Sequence, residues 1–477
     1  MRINKKHLTL FLALTVLSSV ALVYGQDMKW IETYGWDYHE YFEGARVTSD
    51  GGFIITGNTL SNPTEDAFLI KTDSSGATEW INTYGDYDTI DYFYDVEEAH
   101  DGGFITTGLS NSYSKPGQSG AKMWLYKTDA DGDFEWWNTF GALKLEVGNS
   151  ISKTSDGGYI LLGATYSWGA GKSDFYLVKT YADGTLDWQA TYGGTGSDMG
   201  LDVEQTSDDG FILVGRSLSY NTGVYGDDLY MVKTDSSGVL EWQKNYGNAD
   251  MNDAGIEVKQ TPDGGYIVAG FTVSLGSGND GYLVKTDENG DLEWSKTYGG
   301  LDGDMFLSVD LTSDGGYILA GSSSEGENNL VWIVKTDANG NMEWEEHYLE
   351  EASSRGDWVK EMAPGEYAVA GESELDLTQY DVFLMNVGPS TPTPTIEQAI
   401  EDIENKVDHH GIRNSLIKKL ENALKALEKG NTNAYENILQ AFINQVTAQK
   451  GKKIPEEYAD QLIEWAEAWI EDPDLAI

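Results

Sequence analysis

Residues 198–246 change period twice. Met199 to Gln205 alternates weakly between apolar and polar, Gly210-Phe211-Ile212-Leu213-Val214-Gly215 is a continuous apolar run, and Asp228 to Thr234 and Val239 to Tyr246 alternate again. Alternation at period two predicts a half-buried strand, and a short apolar run between turn residues predicts a strand buried on both faces. The unit therefore predicts four strands, A to D. Its C–D connection, Asp235-Ser236-Ser237-Gly238, and the Asp-Gly-Gly of most A–B connections are hairpin turns in which glycine supplies positive φ.

The unit recurs. Its A–B turns stand at Asp50-Gly51-Gly52, Asp101-Gly102-Gly103, Asp156-Gly157-Gly158, Asp208-Asp209-Gly210, Asp263-Gly264-Gly265, Asp314-Gly315-Gly316 and, degraded, Pro364-Gly365-Glu366. Seven four-stranded repeats predict a mainly β fold, a seven-bladed β-propeller. The D-strand tryptophans number one fewer: Trp80, Trp136, Trp188, Trp242, Trp294 and Trp344. The seventh lies at the other end of the chain, where Met28-Lys29-Trp30-Ile31-Glu32-Thr33-Tyr34-Gly35 matches Leu292-Glu293-Trp294-Ser295-Lys296-Thr297-Tyr298-Gly299. The N-terminal strand is thus expected to complete the last blade and close the ring, leaving no free edge at the seam.

In such blades the A–B and C–D turns share one face and the D–A and B–C loops the other. The turns are nearly uniform, whereas the loops 110–121, 166–174 and 217–227 are long and varied. Variable loops on a rigid scaffold are where binding surfaces are built, so function is expected on that face.

At Gly388-Pro389-Ser390-Thr391-Pro392-Thr393-Pro394 the repeats give way to an extended Pro/Thr linker. Beyond it the apolar period becomes helical, with a Thr395/Gln398 capping box, a stripe of Ile396, Ile400, Ile403 and Val407, and three further helices, the fourth opened by Pro455. The predicted divisions are 1–25 signal peptide, 26–388 propeller, 389–395 linker and 396–477 a small C-terminal α-helical bundle.

Composition adds location and excludes partners. Arg2, Lys5 and Lys6, the apolar run Leu8 to Val23 and the exit Gly25-Gln26 form a signal-peptide pattern, so the protein is expected to be secreted or at the cell surface, with no membrane span after cleavage. The chain has no cysteine, which excludes disulfides and thiol chemistry. Residues 26–388 hold 19 basic and 63 acidic side chains, about −44, within a chain of formal charge −48. Long-range repulsion disfavours nucleic acid and anionic membrane surfaces.

The pattern Asp-Gly-Gly-Tyr-Ile-x-x-Gly, Val-Lys-Thr-Asp and Glu-Trp-x-Lys-Thr-Tyr-Gly-Gly over residues 27–387 resembles the blade repeats of secreted and cell-surface bacterial and archaeal propellers. Residues 396–470 resemble the FIMAH domain, most clearly in Leu416 to Gly430 and in Phe442-Ile443-Asn444-Gln445-Val446 through Gly451-Lys452-Lys453-Ile454. The first resemblance implies a fold, the second an extracellular accessory module; neither implies a chemistry.

Two residue sets are candidate sites. Glu40, Asp91, Glu146, Asp198, Asp253 and Asp304 recur ten residues before the A–B turns, with Ser354 at the seventh place. They are expected where strand A enters the channel, as a cation site for which calcium is the fitting hard cation, or else as caps of their own D–A loops. Trp36, Tyr38 and Tyr41, Tyr87 and Trp358 lie in or beside the D–A connections of neighbouring blades and form the expected ligand patch, with Tyr92 and Tyr94 divided between ligand and inter-blade packing. The Asp129-Ala130-Asp131-Gly132-Asp133 turn has calcium-loop flavour but is explained as a hairpin, and Arg355-Gly356-Asp357, an adhesion-like string in a loop expected to be exposed, is discounted because tripeptides recur by chance. No Ser/His/Asp or zinc-ligand arrangement appears. The sequence therefore favours a non-catalytic binding or adhesion protein for carbohydrate or protein ligands. The alternatives are a polysaccharide-acting enzyme using carboxylates, or a surface-layer or filament subunit.

Overall fold

A computed structural model of the chain describes residues 26–35, 39–60, 66–85, 89–112, 120–220, 226–247, 251–273, 278–300, 302–325, 328–349, 352–374, 379–389, 394–471 and 473. They divide into two units between Pro389 and Ser390. The first is seven four-stranded antiparallel sheets, and the strands of blade 1 are A Glu40–Val47, B Phe53–Thr59, C Asp66–Thr72 and D Thr78–Tyr84. Blade 7 is built from Ser354–Ala363, Glu366–Ser373 and Asp381–Pro389, and its fourth strand is the N-terminal Gln26–Tyr34. That strand runs antiparallel to Asp381–Pro389, with Gln26 opposite Pro389 and Tyr34 opposite Val382. Ring closure by the N-terminal strand is as the sequence implies.

Strands B and C are buried on both faces because each sheet lies between two others. Seven apolar clusters fill the seven inter-blade spaces; that between blades 7 and 1, for example, joins Trp358, Ala368 and Leu384 to Phe42, Phe53 and Phe68. The repeated turn motif is a lock on the uniform face. In blades 1 to 6 the C-strand lysine (Lys71, Lys127, Lys179, Lys233, Lys285, Lys335) is buried and donates to the carbonyl of the next residue. It also pairs, at 2.8–3.0 Å, with the A–B turn aspartate (Asp50, Asp101, Asp156, Asp208, Asp263, Asp314). A buried ammonium requires such partners, which explains why lysine and turn aspartate recur together.

Neighbouring blades are latched by the D-strand tyrosine. Tyr34, Tyr84, Tyr192, Tyr246 and Tyr298 donate their hydroxyls to Gly76, Gly132, Gly238, Gly290 and Gly340 of the next C–D turn, and Tyr348 donates to the carbonyl of Gln26 at 2.8 Å. Phe140 has no hydroxyl, and there Asn138 Nδ2 donates to Gly184 instead, at 3.0 Å.

The second unit is four helices, α1 (Ile396–Lys406), α2 (His410–Glu428), α3 (Thr432–Gln449) and α4 (Glu456–Glu471). Their core includes Ile403, Leu420, Tyr435, Phe442, Leu462 and Trp469. The Thr395/Gln398 capping box is formed. Helix α1 ends at Lys406 because Val407 turns extended, so Gly411 lies in the first turn of α2. His409 is accordingly the N-cap of α2, its Nδ1 accepting from Ile412 N at 3.3 Å. No helix among the described residues is long and apolar enough to cross a membrane.

Candidate functional site: the mouth of the channel

Every A strand carries a β-bulge after its third residue, between Phe42 and Gly44 in blade 1 and at the matching place in the other six. The bulge sorts the side chains. Residues 1 and 3 of each strand are buried within the blades, while residues 2 and 4 are with one exception, Ala254, half-buried. The fourth residues (Glu43, Tyr94, Asn149, Leu201, Ile256, Leu307, Asp357) all line one central cavity, of about 180 Å³.

A bulge frees an amide from the ladder, and in most blades the previous blade supplies the acceptor. Ile151 N donates to Asp95, Val203 N to Ser150, Val258 N to Asp202, Val309 N to Glu257 and Val359 N to Ser308, at 2.8–3.4 Å. This hoop runs from blade 2 to blade 7. It lacks an acceptor side chain at Gly44 and Trp358, the corresponding residues of blades 1 and 7. Arg46 spans the break toward blade 2, pairing with Asp95 at 3.0 Å and Glu97 at 2.9 Å.

The expected acidic ring is dispersed by the same alternation. Glu40, Asp91, Glu146, Asp198, Asp253 and Asp304 are first residues of A strands and are 0–2% exposed within their blades. Glu40 accepts from Thr59 Oγ1, Asp91 from Ser110 and Ser112, Glu146 from Thr165, and Asp198 from Ser217, Ser219 and the Gly194 amide. Asp304 accepts from the Gly300 amide at 2.7 Å. Asp91 and Asp198 thereby tie D–A loops to B–C loops, and no group of three metal-ligating side chains occurs among the described residues. The calcium-like turn is likewise closed by its own backbone, Asp129 Oδ1 accepting from the amides of Asp131 and Asp133.

Of the expected aromatic patch, Trp36, Tyr38 and Tyr87 lie outside the described residues. Trp358 is 7% exposed and packs edge-on against Phe53, with ring centroids 6.4 Å apart, so its indole is inter-blade core and not a stacking surface. Tyr41 is half-buried and belongs to a triad with His39 and Tyr380, all centroids 5.9–6.1 Å apart. The triad joins blades 7 and 1: Tyr380 N donates to His39 Nδ1, and Glu40 N donates to the Tyr380 carbonyl. Tyr92 and Tyr94 form a neighbouring pair in blade 2.

Charge gathers at the same seam. Arg355 and Asp357 are in strand A of blade 7, not in an exposed loop, and Arg355 Nε lies 3.0 Å from Asp357 and 3.4 Å from Glu372. Glu43, the bulge residue of blade 1, accepts from Asn58 Nδ2 at 3.0 Å. Burial pushes the Glu43 carboxyl up to about 8; Arg355 opposes this, while Asp357 and Glu372 reinforce it. Burial likewise pushes Asp357 up to about 7 against the pull of Arg355, with Glu372 adding to the rise.

The mouth is therefore two-sided. Blades 7, 1 and 2 present Arg355, Asp357, Tyr41, Glu43, Tyr92 and Tyr94; blades 4 to 6 present Met199, Leu201, Ile256, Met305 and Leu307. Glu43, Arg355 and Asp357 were missed as site residues in the sequence. Their signal is departure from the repeat, since the fourth place, held by Glu43 and Asp357, is uncharged in the other five blades and the second place, held by Arg355, is uncharged in the other six.

Residues 395–471 match the FIMAH domain family. The FIMAH domain thus accounts for the helical unit, in agreement with the resemblance in its sequence. No curated protein matches the chain. Among solved structures it is similar to the Pan2 WD40 domain of Neurospora crassa, at 12% identity and TM-score 0.47 over 77% of this chain and 96% of that one. It is similar as well to the polysaccharide lyase Uly1, at 10% identity and TM-score 0.46 over 75% and 92%. A Dyadobacter fermentans protein of unknown function gives 9% identity and TM-score 0.44 over 76% and 99%.

Proposed function

We propose that this is an exported, non-catalytic binding protein whose ligand, an extracellular carbohydrate or a protein segment, is held at the channel mouth on the variable face. The leader pattern of residues 1–25 supports export. The observation that carries the binding reading is the two-sided mouth: half-exposed tyrosines and hydrogen-bonding carboxylates on one arc face an aliphatic arc across a cavity. Tyrosine faces stack on sugar rings or partner side chains, and carboxylates and Arg355 orient hydroxyl and amide groups. The test is a glycan panel with the mature chain. Saturable binding that weakens at least tenfold in Tyr41→Ala and in Leu307→Asp, both folded, supports the mouth; binding unchanged by either places the ligand elsewhere.

The raised carboxyls of Glu43 and Asp357 favour one second reading, a polysaccharide-acting enzyme, because a carboxyl protonated near neutral pH is what general-acid catalysis requires. Release of reducing ends, abolished in Glu43→Gln or Asp357→Asn, distinguishes it from binding alone.

A further inference from the structure

We infer that the ligand of the channel mouth carries a protonated amine, as an amino sugar does, seated beside Glu43 with its ring against the tyrosines and its apolar face toward Leu307. The inference rests on the mouth being the binding site and adds the chemical class.

Two carboxylates, Asp357 and Glu372, pair with the Arg355 guanidinium at the blade 7 to blade 1 seam, and Glu43 stands within electrostatic reach of all three. Arg355 is committed to Asp357 and Glu372, and Glu43 takes its one hydrogen bond from the neutral amide of Asn58. Glu372 is 7% exposed, and its buried Oε2 accepts no hydrogen bond. The seam is therefore short of donors and of positive charge, and an ammonium group supplies both. The surroundings do not compensate. Arg46, which lines the same cavity, is taken up by Asp95 and Glu97. The propeller's charge of about −44 concentrates cations and repels uronate-type ligands. No group of three metal-ligating side chains occurs among the described residues, so these carboxylates do not form a cage for a bare metal ion.

The experiment is calorimetry on the full mature chain, at physiological salt, with four probes of equal length: glucosamine, N-acetylglucosamine, glucose and galacturonate tetramers. The glucosamine tetramer is expected to bind at least tenfold tighter than its N-acetylated counterpart. Glu43→Gln should abolish that preference, and Asp131→Asn, an exposed acid on the opposite face, should keep it. Equal binding of glucosamine and N-acetylglucosamine tetramers, still weakened by Tyr41→Ala, overturns the amine but leaves the mouth. A preference retained in Glu43→Gln and lost in Asp131→Asn means attraction to general surface charge and overturns the inference. No binding of any probe, or binding indifferent to Tyr41→Ala, overturns the mouth itself.

Discussion

Leu349 and Ser354 jointly replace the glycine and the acid found at the other six blade junctions. Elsewhere the D strand ends in Tyr-Gly or, in blade 2, Phe-Gly, and a Cβ on Gly141, Gly193, Gly247 or Gly299 would fall against the carboxylate of Glu146, Asp198, Asp253 or Asp304. Leu349 holds the left-handed conformation, φ +63°, and packs against the cluster between blades 6 and 7; at Ser354 the carboxylate is gone. The two exchanges are compatible only together. Ser354→Asp alone is expected to cost roughly 1–3 kcal/mol through overpacking, and at least about 1 kcal/mol less when Leu349→Gly is also present. Urea denaturation of the double-mutant cycle checks this; additive costs would show that the positions are independent.

Trp358 separates a structural indole from a ligand-stacking ring. As it fills the space between blades 7 and 1 against Phe53, Trp358→Ala is expected to destabilise the propeller by roughly 3–5 kcal/mol. Tyr41→Ala, at a half-exposed ring, should cost roughly 1 kcal/mol and act mainly on binding. Denaturation midpoints of the two variants, measured without ligand, decide the matter.

The turn locks set the acid limit of the fold. A hydrogen bond from Thr48 and the ion pair with Lys71 hold Asp50 down at about 2. Asp156, Asp208 and Asp314 reach about 2 as well, each against an opposing burial effect. A carboxylate depressed in the folded state contributes stability above its unfolded pKa, about 3.9, and loses it as pH falls through the folded value. Melting temperature should therefore drop between pH 4 and pH 2, and Lys335→Met should flatten that drop by removing one lock.

The seam acids act in the opposite sense. Glu43 at about 8 and Asp357 at about 7 are raised above their unfolded values of about 4, so their contribution is full below pH 4 and is lost as pH rises through 7 to 8. Glu43→Gln should leave stability near pH 5 almost unchanged and raise it at pH 8.5 relative to the wild type. A melting profile over that range tests the sign.

The repeat made the ring, the blade number and the closing strand legible because seven copies state the same strand pattern. The mouth was less so. The weak alternation of Met199 to Gln205 is the trace of the bulge near Leu201, and a bulge shifts which residues face inward without changing composition. Counting back from the turns therefore placed Asp198 and its equivalents in the channel, when period two puts them inside the blade. Asp357 was hidden for another reason: its string suggested a loop, and strand A of blade 7 shows only weak alternation. The informative residues are those where one blade breaks the template that the others keep.

The closing strand also fixes how the ring responds to force. Gln26 lies directly opposite Pro389, so the two chain ends of the propeller leave from the same end of one antiparallel pair. Tension between them loads the ladder one rung at a time, beginning at that pair. A pull through the ends of the propeller would thus unzip its closing strand before any blade sheared, opening the ring at the seam that carries the mouth.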